Sequence, residues 1–272
     1  MSVIISTPNE TFTYGGTRKF VPRVSGFPLR GIQALHLLQD GSGTALVDAR
    51  GGTSGLIEAP VATNNAYSWL PALRLEGTQI ASFAAFDVRN VWSIATIVTV
   101  TASVGGTASE RLTALLGFRH YTNTMTGGHR GALLFLRGGN DWSTTTTSNL
   151  FQVQVSDGAG GVGTSTTLTP SSGLTVLDQR LLAVMSYNGS SQIVVTLYTM
   201  AGVALATATA SATDAQITTG TISAVVTNLQ PIIGGPSNTY QGGQATYHAF
   251  ARYDRVLGDA DIALLCETGA SL

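Results

Sequence analysis

From Gly31 onward the chain alternates short apolar runs with Gly, Asn, Asp and Ser, at the spacing of an all-β sandwich. The runs predict strands over Ala34–Leu38, Ser82–Phe86, Trp92–Thr101, Ala114–His120, Gly131–Arg137, Phe151–Ser156, Arg180–Tyr187, Gln192–Met200 and Ala245–Tyr253. Nearly all are rich in Val, Ile, Leu, Phe or Thr, which suit a pleated, half-buried surface. The clearest pair is RLLAVMSY followed by QIVVTLYTM, joined by Asn188-Gly189-Ser190-Ser191, where Asn-Gly is expected to supply the positive φ angles of a tight turn. A further turn is expected at Ala201-Gly202. Helix is expected once, over Asp259–Glu267, with Asp259 as N-cap, Asp261 in the positive first turn, and Ile262, Leu264 and Leu265 facing the sandwich. Residues 1–30 carry turn markers at Pro8, Gly15-Gly16, Pro22 and Gly26-Phe27-Pro28 but no sustained period, and they predict an extended arm that packs on its own domain or on a partner. The organisation expected is an anchoring arm over 1–30 and one domain over 31–272.

Composition narrows the classes of function. Hydrophobic residues make up 43% of the 272 but charged residues only 11%, against about 25% in an ordinary soluble domain. So few charges imply a surface of hydroxyls and amides, or a surface covered by neighbours, and the second option points to a homo-oligomer or larger assembly. A formal charge of -1, with no Lys/Arg cluster, offers no field for phosphate and excludes nucleic acid as the expected partner. Cys266 is the only cysteine, so no intrachain disulfide can form, and its place in an apolar helix reads as a small buried hydrophobe. The longest apolar runs fall short of the roughly 18 residues of a membrane span. No leader pattern is read at Val3-Ile4-Ile5, so synthesis in a host cytoplasm without a signal peptide is the expectation.

Three blocks carry a resemblance. Tyr253-Asp254-Arg255-Val256-Leu257-Gly258-Asp259-Ala260-Asp261-Ile262 resembles the closing segment Tyr-Asn-Arg-Ala-Leu-Ser-Asp-Ala-Glu-Ile of concanavalin A-like (laminin G-type) jelly-roll domains. The Arg180–Met200 hairpin is similar to the family's strand, turn and Leu-Tyr strand, and Gly31–Gly55 resembles its opening strand and Asp/Gly loop, with Asp40 and Asp48 at the acidic positions and Gly41, Gly43 and Gly51 at the turns. The resemblance implies a concanavalin A-like jelly-roll β sandwich, of the kind found in phage or gene transfer agent spike and fibre proteins. Many relatives bind calcium through loop acids, which makes Asp40, Asp48 and Asp141 candidate ligands, against the simpler reading that these side chains close their own turns. No other cofactor is implied.

Catalysis has little to stand on. Glycosidic cleavage needs two carboxylates flanking the bond, and the Glu-x-Asp-x-(x)-Glu strand of this fold's glucanases is missing; Asp259 and Asp261 are already explained by the helix start. The histidines His36, His120, His129 and His248 lack metal-ligand spacing, and Gly158–Gly163 lacks the Lys-Ser/Thr of a phosphate loop. A sugar site needs an aromatic face beside Asn, Asp or Arg, and loops offer this at Trp69, at His120 and Tyr121 with His129 and Arg130, at Asn140, Asp141 and Trp142, and at Asn238 and Tyr240. Two readings of these aromatics stand: glycan binding, and packing under loops or at subunit contacts. Trp92 opens an apolar strand and is expected in the core.

The function expected is that of a non-enzymatic, lectin-like structural protein on a virion or particle surface. Its arm holds other particle proteins and its loops bind host cell-surface polysaccharide. The alternatives are a polysaccharide-cleaving hydrolase or lyase of the same fold, and an assembly protein without ligand.

Overall fold

RLLAVMSY runs apolar without a break because strand β15 (Arg180–Tyr187) is covered on both faces. In the computed structural model, Leu181, Ala183, Met185 and Tyr187 enter the core between two sheets, while Leu182 and Val184 face a second cluster beneath the helix α1 (Asp259–Ser271). The structure describes residues 3–7, 10–14, 26–39, 42–58, 66–69, 71–76, 79–103, 111–119, 130–138, 150–157, 165–168, 178–211, 228–235 and 243–272.

All strand pairs are antiparallel. The first sheet runs β17 (Ala204–Ser211), β16 (Gln192–Thr199), β15, β10 (Trp92–Ser103), β19 (Gly243–Tyr253), β7 (Leu73–Glu76), β6 (Ala66–Trp69), with β3 (Ile32–Leu37) also on β19. The second runs β14 (Ser165–Leu168), β13 (Leu150–Asp157), β12 (Arg130–Gly138), β11 (Arg111–Arg119), β18 (Asn228–Gly234), β8 (Ile80–Ser82), β5 (Gly55–Ile57), β4 (Ala45–Leu46), with β9 (Phe86–Asp87) also on β18. This is an all-β sandwich. Within the expected arm, β1 (Val3–Thr7) and β2 (Glu10–Tyr14) form a separate hairpin that the unperiodic sequence does not announce. Phe27, at the arm's end, is buried in the cluster beneath α1.

Several details differ from expectation for physical reasons. The strand expected over Ser82–Phe86 is two pieces, β8 and β9, both on β18. Between them the Phe83 amide donates to Pro231 O at 3.0 Å, but Pro231 has no N–H to return, so the ladder breaks. In the Asn188–Ser191 turn only Gly189 takes a positive φ, +81°; Asn188 acts instead through Oδ1, which accepts the amides of Ser190 (3.0 Å) and Ser191 (3.1 Å). The helix N-cap is Gly258, not Asp259, and the helix runs on to Ser271. Asp261 does the capping: Oδ2 accepts the Gly258 amide at 2.9 Å, while Arg255 donates to both carboxylate oxygens at 2.5 and 2.7 Å. The last helical turn has no basic residue, and Arg180 of β15 supplies one, donating to Gly269 O at 2.7 Å.

One side chain crosses the core. Strands β11 and β18 pair at Ala114↔Gly234 and next at Gly117↔Ile232, leaving a register break. The Tyr247 hydroxyl, from the opposite sheet, fills it: it donates to Ala114 O at 2.6 Å and accepts the Gly234 amide at 3.0 Å. The phenol is fully buried, and burial raises its pKa far above the ordinary value, so it stays protonated. Tyr247→Phe orphans two buried backbone groups and is expected to lower unfolding free energy by about 2–4 kcal/mol in urea titration. Wild-type stability in that variant would refute the bridge.

Candidate functional site

Strand β6 is an edge strand of the first sheet, and the alternation Tyr67-Ser68-Trp69 places its two aromatics on one side, across from Leu75 and Leu73. Trp69 is half-buried against the rim of the core, and its indole N–H donates to Gly43 O at 2.9 Å. That bond fixes the turn around Gly43, where φ is +79° and open space surrounds the α-carbon. The indole nitrogen is therefore committed to the fold, and only the ring surface remains for a ligand. Tyr67 is 37% exposed. The period-two spacing from Trp69 puts it on the same side of the strand. On the sheet's other face Arg74 Nε pairs with Glu76 Oε1 at 2.7 Å, and Gln244 Nε2 donates to the same oxygen at 3.1 Å. The two aromatics and this polar group thus occupy opposite faces of the sheet, and the aromatic edge offers a ring surface of the kind that the C–H side of a sugar meets.

Of the other sugar candidates, Arg130 opens β12, and His120, Tyr121, His129, Asn140, Asp141, Trp142, Asn238 and Tyr240 lie outside the described residues. Among the candidate calcium acids, Asp40 and Asp141 also lie outside them. Asp48 is buried, and its Oδ1 accepts the amides of Leu35 (3.1 Å) and Arg50 (2.9 Å), closing its own turn. Among the described residues no group of three or more His, Cys, Asp or Glu is placed to hold a metal ion. Other described acids are engaged in the same manner: Asp87 is held well below the usual carboxylate range by hydrogen bonds from Arg89, and Asp261 by those from Arg255.

The two histidines on strands are buried, as expected of structural residues. His36 is 0% exposed, with its ring beside Phe83 and Phe250 and its Nδ1–H donating to Leu46 O at 3.1 Å. His248 is 4% exposed; its Nε2 lies 3.0 Å from Thr99 Oγ1, while Nδ1 has no partner. Burial first, and the Arg180 charge second, push the His248 pKa from 6.5 down to about 4. Cys266 is buried as expected, and burial raises its thiol pKa. Trp92 is in the core at 2% exposure, edge-on to Phe118.

No protein-family model matches the chain, and no curated protein matches it. Its fold is similar to solved structures of Trypanosoma rangeli sialidase, with a TM-score of 0.56 at 15% identity over 88% of this chain and 33% of that one. The complex of that sialidase with sialic acid gives 0.54 at 14% identity and the same coverage. The receptor binding domain of botulinum neurotoxin D gives 0.53 at 14% identity, over 87% of this chain and 52% of that one. The chain spans about a third of the sialidase and about half of the neurotoxin structure. At these identities the likeness is one of fold, a β sandwich, in agreement with the jelly-roll blocks in the sequence.

Because folded His248 resists a proton that the unfolded chain accepts, its stabilising effect is complete above pH 6.5 and is lost as pH falls toward about 4. The loss amounts to at most about 3 kcal/mol for that shift. Urea unfolding across this range should show stability falling with acid, and His248→Asn should flatten the slope; an unchanged slope in the variant would remove His248 from the account.

Proposed function

We propose that the chain is a non-enzymatic, lectin-like surface component of a virion or gene-transfer particle that binds host cell-surface polysaccharide. The observation that carries the reading is the aromatic edge strand, where Tyr67 is exposed and Trp69 keeps its ring surface while its N–H is held by Gly43 O, on an all-β sandwich. The neighbours support it by analogy: one is a sialidase solved with sialic acid, another a receptor binding domain. Attachment to a particle is supported by the low charge, since a chain with 11% charged residues is suited to a surface shared with neighbours. In this reading the residues before Phe27 hold the particle, as a homo-oligomer with other particle proteins, and the sandwich meets the glycan.

The rival enzymatic reading draws on the sialidase neighbours. Against it stand the coverage of only a third of that chain and the described acids Asp48, Asp87, Asp261 and Glu76, each held by amides or by a neighbouring side chain. A broad glycan panel separates the readings: binding without product release supports the lectin, and turnover abolished by changing one loop carboxylate would replace it with the enzyme. Tyr67→Ala is expected to weaken glycan binding about tenfold, with little change in thermal midpoint because the ring is partly exposed. Full retention of binding would move the site away from this edge. Deleting residues 1–25 spares Phe27 and should abolish incorporation into particles while the sandwich stays folded; continued incorporation would sink the anchoring role.

A further inference from the structure

Residues 43–57 form one hydrogen-bonded unit held on one side by the β5–β8 pairing of the second sheet and on the other by β3. Within it β4 and β5 pair at Ala45↔Leu56, and the Ile57 amide donates to Thr44 O at 2.7 Å. At its start, Gly43 O receives the Trp69 indole N–H. Its attachment to β3 itself runs through two side chains and one backbone bond. The Asp48 carboxylate takes the Leu35 amide, with the Ala49 amide returning to Leu35 O at 2.7 Å, and the His36 imidazole reaches from β3 in one sheet to Leu46 O on β4 in the other.

The carbonyl of Leu46 can only accept, so His36 carries its proton on Nδ1 and leaves the Nε2 lone pair buried without a partner. The neighbours of the ring offer Nε2 nothing to donate to. Phe83 and Phe250 lie 4.8 and 5.9 Å away, centroid to centroid. Arg252, from β19, is a cation with its guanidinium 4.7 Å from the Phe86 ring centre, and it opposes a second positive charge; Asp48 and the backbone of Leu46 and Val47 favour it. Burial outweighs Asp48, and His36 is held neutral below its ordinary value of 6.5.

We propose that His36 is an acid-sensitive latch: adding a proton at Nε2 places a buried N–H without an acceptor beside Arg252, and the molecule relieves this by releasing residues 43–57 from β3. The turn that Trp69 holds moves with that unit, so the aromatic edge loses its fixed support in acid. Only the consequence for sugar binding rests on the lectin reading; the latch itself does not.

Hydrogen exchange on the full chain tests it. Between about pH 7.5 and about pH 5, protection of the junction amides of Leu35, Ala49 and Arg50, corrected for intrinsic exchange, should fall roughly tenfold or more, while the β15–β16 hairpin stays within about twofold. His36→Gln, which can still donate to Leu46 O but does not titrate, should abolish the effect, and His248→Asn should keep it. Unchanged protection at Leu35, Ala49 and Arg50 in the wild type, equal loss in His36→Gln, or simultaneous loss in β15–β16 would each overturn the latch. Should His36→Gln not fold, imidazole nitrogen NMR on the wild type decides: the His36 midpoint must coincide with the opening, and a midpoint elsewhere overturns the proposal. If glycan binding fails at every pH while the opening persists, the lectin reading falls and the latch stands.

Discussion

A buried hydroxyl fixes how the two sheets sit on one another. Apolar layers tolerate small slides, because burial is nearly indifferent to direction; a phenol held between Ala114 O and the Gly234 amide is not. The backbone of β19 is adapted to it. Pairing with β10 passes from Ile97↔Ala249 to Val98↔Tyr247, so His248 is an extra residue in a bulge. The bulge changes the phase of the strand: Ala245 and Tyr247 face the inter-sheet core, while Ala249, Ala251 and Tyr253 face the helix. Without it the tyrosine and the helix-bearing alanines would compete for one face. His248 is buried as a consequence of being that extra residue, and His36 repeats the theme on the adjoining strand, where a polar ring crosses from one sheet to the other.

The few charges of the described residues work largely inside the fold. Arg255 closes the helix start with Asp261, Arg180 neutralises its end, and Arg252 lies across Phe86. The charges that remain exposed, among them Arg50, Arg89, Asp178 and Glu267, are scattered among hydroxyls, amides and apolar groups such as Leu56 and Val203. A sandwich built this way presents little long-range field, so recognition at its surface depends on shape and short-range contact, as stacking on an aromatic edge does.

How much could be read from the residues follows from which interactions are local. Alternation and turn chemistry are local, so most of the long strands and the helix were legible, and Trp92 and Cys266 were placed correctly in the interior; β17, whose Ala/Thr run carries little apolar contrast, was not. The short strands β4 to β7 were not, and β8 and β9 were read only as one merged strand, because two to four residues hold too little of a period; they exist through pairing with β18, β19 and each other. The split at Phe83 depends on Pro231, some 150 residues on, and the cap at Gly258 depends on Arg255 holding Asp261 in place. At the site, the mixture of aromatic and amide residues around Trp69 was visible, but the fixing of its N–H by Gly43 was not, since nothing in either segment names the other.

Gly26 adds a mechanical point. Its φ is +132°, and a β-carbon there would meet the Thr268 hydroxyl, so the chain enters the sandwich pressed against the last turn of α1, with Phe27 wedged beneath the helix. Entry strand and final helix share one mooring. A larger residue at 26 would therefore disturb the entry into β3 and the end of α1 at once, so the two ends of the sandwich are sensitive to a single position.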